Sequence, residues 1–335
     1  MINSKITPKN QNVLKAHIVT SRFLKILFTI IFSILILLTL GILIVFYSPY
    51  TQLKELFVTS AMTTLNHQYL ARLFVSEEEI QRIMEKNKII EPNENTNANE
   101  IFPSSENTNK IELIEIKTAT YKGYLLMIKD PSKVCLGTTD KLWKKGLKVE
   151  EIAKNYKAVA GINAGGFADA NGHGSGGIPF GVLIENSKVL YMDNNNEHRI
   201  IGLDKNNVLV IGTYTTKEIL NMGIRDAITF RPFLVINGKP TIKEGNGGWG
   251  IAPRTAIGQK KDGTILMLVI DGRQIGSIGA TLKDVQNIML EYGAYNAANL
   301  DGGSSTTLFY DGKVVNNPCS KYGPRYVPSA FIVKG

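Results

Sequence analysis

Between Lys25 and Lys54 the chain carries no charged side chain, and Ile26 to Tyr47 is almost wholly Ile, Leu, Phe and Val. No other stretch limits the fold so sharply. A core helix of a water-soluble domain keeps a polar face, and this one has none. About 20 apolar residues cross the hydrocarbon layer as a helix, whereas the apolar part of a cleaved leader is shorter and ends at a small-x-small site that is not evident here. The expectation is an uncleaved transmembrane anchor at 26–47. Lys5, Lys9, Lys15, Arg22 and Lys25 precede it with no acid among them. The positive-inside rule then predicts a cytoplasmic tail at 1–25 and an extracellular remainder on a single-pass anchor in the cell membrane.

Those five cations also explain part of the formal net charge of +9. With no basic stripe interleaved with aromatics and no zinc-ligand spacing, the excess does not point to nucleic acid. Beyond the anchor, 48–90 is helix-compatible, and Ser76-Glu77-Glu78-Glu79 supplies an N-cap with Glu at the third helical position. A helical stalk is expected there. Residues 91–110, EPNENTNANEIFPSSENTNK, are rich in Asn, Glu, Pro, Ser and Thr, too polar to offset their ordering entropy by burial. They read as a flexible linker, which leaves 111–335 as the main domain. Cys135 and Cys319 lie far apart without a CxxC, so a disulfide and two separate thiols both stand.

From Ile111 the pattern is strand after strand. Alternating or buried β-type runs cover 111–118, 121–129, 134–136, 158–162, 227–236 and 264–270, with hairpin turns at Glu185–Lys188, Lys205–Asn207, Asn237-Gly238 and Asp311-Gly312. Helical patterns are few: 149–156, a short one opened by Thr216, and one capped by Thr281 with Asp284 three residues on and Gly293 at its end. The fold class is therefore α+β, strand-dominated with hairpins and a few helices.

Several strands end on chemistry. Ala297–Leu300 reads as a buried strand with Asp301 at its tip, and Gly302 and Gly303 then remove every Cβ where the chain must turn. Backbone N–H groups can converge on an anion at such a corner, with the Ser304 hydroxyl beside them. Asn163-Ala164-Gly165-Gly166 repeats the design. A plain glycine turn accounts for either corner alone. Strand 264–270 ends at Asp271-Gly272-Arg273, Arg231 interrupts an apolar run, and Arg254-Thr255 sits in another. Arginines so placed need anionic partners, either a carboxylate or a phosphate. The Gly-rich loop at 172–177 holds His173, a solvated residue or a proton carrier. Two carboxylates and three arginines fit an enzyme acting on a phosphorylated or sugar-like substrate, one acid protonating the leaving oxygen while the other attacks or activates water. No Walker lysine, HExxH or GxSxG is present. No cofactor is expected, and a divalent metal held by Asp271 and Asp301 remains an open alternative.

The ordered set NAGGF, GIPFGVLIENSKVL, FRPFLVINGKP, APRTAIGQKKDGTILMLVIDGR, LDGGSSTTLFYDGKVVNNP and RYVPSAFIVKG resembles the phosphodiester glycosidase family over about 111–335. What the resemblance implies is hydrolysis of a sugar-1-phosphodiester by a mixed, strand-rich domain. The family's motif positions fall on Asn163, Gly165, Gly166, Arg231, Arg254, Thr255, Asp271, Arg273, Asp301, Gly302, Gly303 and Ser304, with Asp301 and Asp271 as the catalytic candidates and the others as binders of substrate and phosphate. The expected substrate is a phosphorylated glycan or sugar-1-phosphodiester of the cell envelope or an exopolysaccharide. A non-catalytic glycan or phosphoglycan binding module is the alternative.

Overall fold

A computed structural model describes residues 8–47, 49, 51–64, 67–91, 93–103, 110–169, 174–320 and 323–335. The chain forms two compact units, 1–55 and 56–335. The first carries helix α1 (Pro8–Tyr47), of which Arg22–Tyr47 is long and apolar enough to cross a membrane. Inside that span Thr29 and Thr39 donate their hydroxyls to the carbonyls of Lys25 and Leu35, which satisfies them within the helix.

Helices α2 (Thr51–Met62), α3 (Tyr69–Phe74) and α4 (Glu77–Lys86) follow. Next come β1 (Ile111–Lys117), β2 (Lys122–Ile128), β3 (Val134–Thr138), α5 (Val149–Asn155), β4 (Ala158–Asn163), β5 (Val182–Glu185) and β6 (Lys188–Met192). The middle of the chain gives β7 (Glu197–Asp204), β8 (Leu209–Thr215), α6 (Thr216–Asn221), β9 (Ile224–Ile228), β10 (Phe233–Ile236) and β11 (Lys239–Pro240). The remainder gives β12 (Arg254–Lys260), β13 (Ile265–Ile270), α7 (Leu282–Glu291), β14 (Ala294–Asn299), β15 (Leu308–Tyr310), β16 (Lys313–Val314) and β17 (Ser329–Lys334). Three antiparallel sheets result, in the orders β1-β2-β13-β12-β14-β10-β11, β16-β15-β4-β17-β3 and β6-β5-β9-β7-β8. The expected α+β, strand-dominated class is what forms.

Strand β13 shows why the sheets pack as they do. Its ILMLVI run is fully buried because both faces are covered. Ile265, Met267 and Val269 enter a core shared by all three sheets, while Leu266, Leu268 and Ile270 meet Leu282, Val285 and Met289 of α7. Each such side chain contributes roughly 1.5–3 kcal/mol. Where α7 lies closest, β14 is reduced to small residues, Ala297 packing beneath Met289. Edge strand β1 instead exposes Glu112, Glu115 and Lys117 among half-buried isoleucines, which discourages pairing with another chain.

The hairpin turns fall where the dipeptides place them, with positive φ at Asn237 and Gly238 and at Asp311 and Gly312. Thr281 accepts the Asp284 amide while the Asp284 carboxylate takes the Thr281 amide, the reciprocal cap expected of α7. The short helix α6 is capped by Thr215, one residue before the expected Thr216.

Two segments differ from a bare stalk and a free linker. From Leu56 onward the helices pack on the β-rich body: Ile80 and Ile83 of α4 are buried, and Asn87 accepts the Asn246 amide at 2.9 Å. The described part of 91–110 is laid along the body by its polar side chains. Asn95 exchanges two bonds with Thr213 backbone, Thr96 does the same with Ile211, and Asn237 grips both Asn95 and Asn97. Ile101 is buried against Val208 and Tyr295. Composition alone predicts disorder here because these partners are more than a hundred residues away. Cys135 and Cys319 are free thiols, and burial pushes that of Cys135 up to about 11.

Candidate active site

Antiparallel order brings the chemistry to one rim. Strands β13 and β14 run out there while β12 and β10 begin, so Asp271, Asp301, Arg254 and the cis Arg231-Pro232 pair share an edge. Strand β4 of the second sheet ends beside them at Asn163. The Asp301 amide donates to Ala164 O at 3.1 Å and the Leu300 amide to Thr255 O at 2.8 Å, which joins the two sheets through the tip of β14.

Beneath the rim lies a dry polar network. Asn163 is wholly buried; its Nδ2 donates to the Asp301 carbonyl at 2.5 Å, and its Oδ1 accepts from Thr255 Oγ1 and the Thr307 amide, both at 3.0 Å. Asp271 is 4% exposed. Its Oδ1 accepts from Asn316 Nδ2 and the Asn317 amide at 3.0 Å each, and Oδ2 lies 3.2 Å from that amide. Burial raises its pKa, and these donors pull the other way. Asn316 also donates to Thr306 O and accepts the Leu308 amide. Asn163, Thr255 and Asp271 thus hold the loop after β14 in place from below.

The glycines serve close approach. A Cβ on Gly302 would lie 2.9 Å from Pro253 O, and Gly303 has φ +60° with its amide donated to Pro253 O. The Gly166 amide goes to Thr229 O and that of Gly165 to Ser329 Oγ. With these amides engaged inside the protein, the corners differ from the open anion cradle expected of them.

Asp301 is half-buried at the surface of this network. Burial pushes its carboxyl up to about 7, against the opposing pull of a Ser305 hydrogen bond, the Arg325 charge and the Gly302 amide. Arg325 was not singled out in the sequence. It donates to Asp169 Oδ1 at 2.9 Å and to Ser304 Oγ at 3.4 Å, with its guanidinium 5.7 Å from the Phe167 ring. Asp169 also accepts the Gly174 amide. Arg325 opens the RYVPSAFIVKG motif, but nothing local pairs it with Asp169, because the two meet across 156 residues. Arg273, exposed and in no ion pair among the described residues, holds its guanidinium about where a Gly303 Cβ would touch it, at 3.5 Å. His173 lies outside the described residues.

The other two arginines sit further along. Arg254, 4% exposed, donates Nε to Ala280 O and Nη2 to Trp249 O and Gly250 O. Burial and the nearby Arg273 charge lower its pKa to about 9, so it stays cationic at neutral pH. Arg231 is exposed over the Trp249 ring at 5.7 Å, its carbonyl accepting from Asn299 Nδ2 at 2.9 Å. No group of three or more His, Cys, Asp or Glu side chains among the described residues is placed to hold a metal ion.

The sequence profile of the phosphodiester glycosidase family matches residues 156–334, which contain every one of these site residues. The chain belongs to the phosphodiester glycosidase family. It is 31% identical over 199 residues to the SPbeta prophage-derived uncharacterized protein YomE of Bacillus subtilis (strain 168), covering 56% of this chain and 29% of that protein. It is 25% identical over 199 residues to the N-acetylglucosamine-1-phosphodiester alpha-N-acetylglucosaminidase of Bos taurus, covering 52% of this chain and 35% of that one. The chain spans about a third of the length of these curated relatives. In fold it is similar to the zebrafish N-acetylglucosamine-1-phosphodiester alpha-N-acetylglucosaminidase catalytic domain auto-inhibited by pro-peptide, with TM-score 0.58, 22% identity, and 72% of this chain and 88% of that one covered. A putative exported protein of Burkholderia pseudomallei K96243 gives TM-score 0.51 at 16% identity, covering 64% of this chain and 74% of that one.

Proposed function

We propose that this phosphodiester glycosidase family member is a membrane-anchored, outward-facing hydrolase that cleaves the glycosidic bond of a sugar-1-phosphodiester in cell-envelope or exopolysaccharide material. The observation that carries the reading is Asp301, a half-buried carboxyl raised to about 7, with Arg325 beside it and Arg273 over the next glycines. A carboxyl titrating near neutrality is matched to proton transfer at physiological pH. The leaving group is a phosphate monoester that departs as a stable anion, so it needs charge stabilisation more than a proton. Arg273 and Arg325 supply that stabilisation.

In this scheme a water oxygen bonds to the anomeric carbon as the bond to the phosphate oxygen breaks. The water proton passes to the Asp301 carboxylate, and the phosphate keeps the bonding electron pair. Asp271, both of whose oxygens face amide donors, positions the loop that carries Asp301, with Asn163 and Thr255. The Arg22–Tyr47 helix, with the cations before it, serves as the single-pass anchor.

Full-length protein in detergent micelles, given an activated sugar-1-phosphodiester, is expected to release the phosphate monoester. Binding of a phosphoglycan without any turnover would select the glycan-binding alternative instead. A reporter fused after Gly335 is expected to be accessible on intact cells, and its protection would reverse the topology.

A further inference from the structure

Residues 56–89 precede the stretch matched by the family profile, yet they build one wall of a cleft next to the site. They do so through the loop 245–250, GNGGWG, in which Gly245, Gly247, Gly248 and Gly250 all have positive φ. Asn246 donates Nδ2 to Thr59 Oγ1 at 3.0 Å and its amide to Asn87 Oδ1. Thr63 Oγ1 donates to Trp249 O, and the Ile251 amide to Ser60 Oγ at 3.0 Å. Gly250 lies so close that a Cβ there would stand 2.3 Å from Ser60 Cα. The helices thus fix Trp249, and the body fixes it from the other side through Arg254.

Trp249 links the cleft to the chemistry. Its ring meets Phe230 edge-on at 6.3 Å, and Phe230 lies over Gly166, where a Cβ would be 3.1 Å from the ring. The Arg231 carbonyl is held by Asn299, two residues before Asp301. The cleft has a volume of about 490 Å³, with Gln81, Met84 and Lys88 on the helical wall and Arg231, Pro232 and Trp249 opposite. Its charges are mostly balanced: Lys88 pairs with Glu85 at 3.3 Å and Arg199 with Glu91 at 2.9 Å. Arg231, paired with no carboxylate among the described residues, is left over an indole face.

An indole with an uncompensated guanidinium over one face suits a sugar ring at the rest of its surface and a phosphate at the guanidinium. We propose that this cleft is the subsite for the next sugar–phosphate unit of the substrate, beyond the scissile phosphodiester, and that helix α4 sets the enzyme's choice of aglycone. The inference rests on the hydrolytic reading above. The volume suits a unit of this size, since ligand pockets run from roughly 300 to 1,000 Å³.

The test compares two substrates on full-length protein in micelles: a small activated sugar-1-phosphodiester, and a short sugar-1-phosphate oligomer. Gln81→Trp adds bulk from an exposed position on the helical wall, and Met84→Trp fills the cleft from a half-buried one. Each is expected to raise KM for the oligomer about tenfold or more while leaving kcat/KM on the small substrate within about twofold. Equal losses on both substrates, no change on either, or faster oligomer cleavage would overturn the assignment. If the wild type turns over neither substrate, the hydrolytic reading fails by itself, and calorimetric binding of the oligomer decides the subsite. Weakening by Gln81→Trp of about tenfold supports it, whereas unchanged binding, or no binding by the wild type, overturns it.

Discussion

Asp301 gathers the site's costs in one side chain. Between about pH 4 and 7 the folded protein keeps a proton on this carboxyl that the unfolded chain has released, so its contribution to stability falls as pH rises through that window. Asp301→Asn is therefore expected to melt higher than wild type at pH 8, by on the order of 2 kcal/mol or a few degrees, with the gap closing near pH 4. The same variant should lose at least about a hundredfold in kcat, and wild-type kcat/KM should rise with pH through about 7, as a base requires. A rate that falls through that range would assign Asp301 as the acid. Arg254 gives a sharper contrast. Its fork ends on three carbonyls, so Arg254→Lys is expected to lose about 2–4 kcal/mol in thermal unfolding. A raised KM with an unchanged Tm would restore the phosphate grip expected from sequence. Asp301, Asp271 and Asn163 were legible because each is a polar residue ending a buried run. The pairing of Arg325 with Asp169 was not, since neither stands at a strand tip and only the fold brings them together.

At the scale of elements, what was legible is what is local. The ILMLVI run of β13, the Thr281–Asp284 cap and the Asp311-Gly312 turn each declare themselves within a few residues, through burial, reciprocal hydrogen bonds and positive φ. The GNGGWG loop does not, because four left-handed glycines allow many paths and the partners that select one lie in α2 and just after α4. Gly250→Ala tests this dependence. With φ +56° and Ser60 backbone 2.3 Å from the added carbon, the variant is expected to lose about 2–4 kcal/mol. Its intrinsic Trp fluorescence should shift to the red as Trp249 loosens. A native spectrum and Tm would show that the loop accommodates the change.

Across the whole molecule, the polar segment 93–103 illustrates how composition misleads. Asn and Thr side chains that predict disorder act here as substitutes for backbone partners along β8 and the turn after β10, and Ile101 pins the segment against Val208 and Tyr295. Hydrogen exchange is expected to find the Thr96 and Phe102 amides protected, since they donate to Ile211 O and Lys261 O. Exchange at the rate of free peptide would return the segment to a linker. The long reach between the first helices and the Trp249 loop also bears on how the protein comes into being. Thr59 meets Asn246 across 187 residues and Ser60 meets Ile251 across 191, among the widest closures in the chain. Contacts that far apart form late, because the entropy of closing the loop must be met before they return anything. During synthesis the helices emerge first and wait with Ile80 and Ile83 uncovered until most of the β-rich body has been made. The wall of the cleft is thus completed only once Ile251 has been made, and a product interrupted before that residue would lack it.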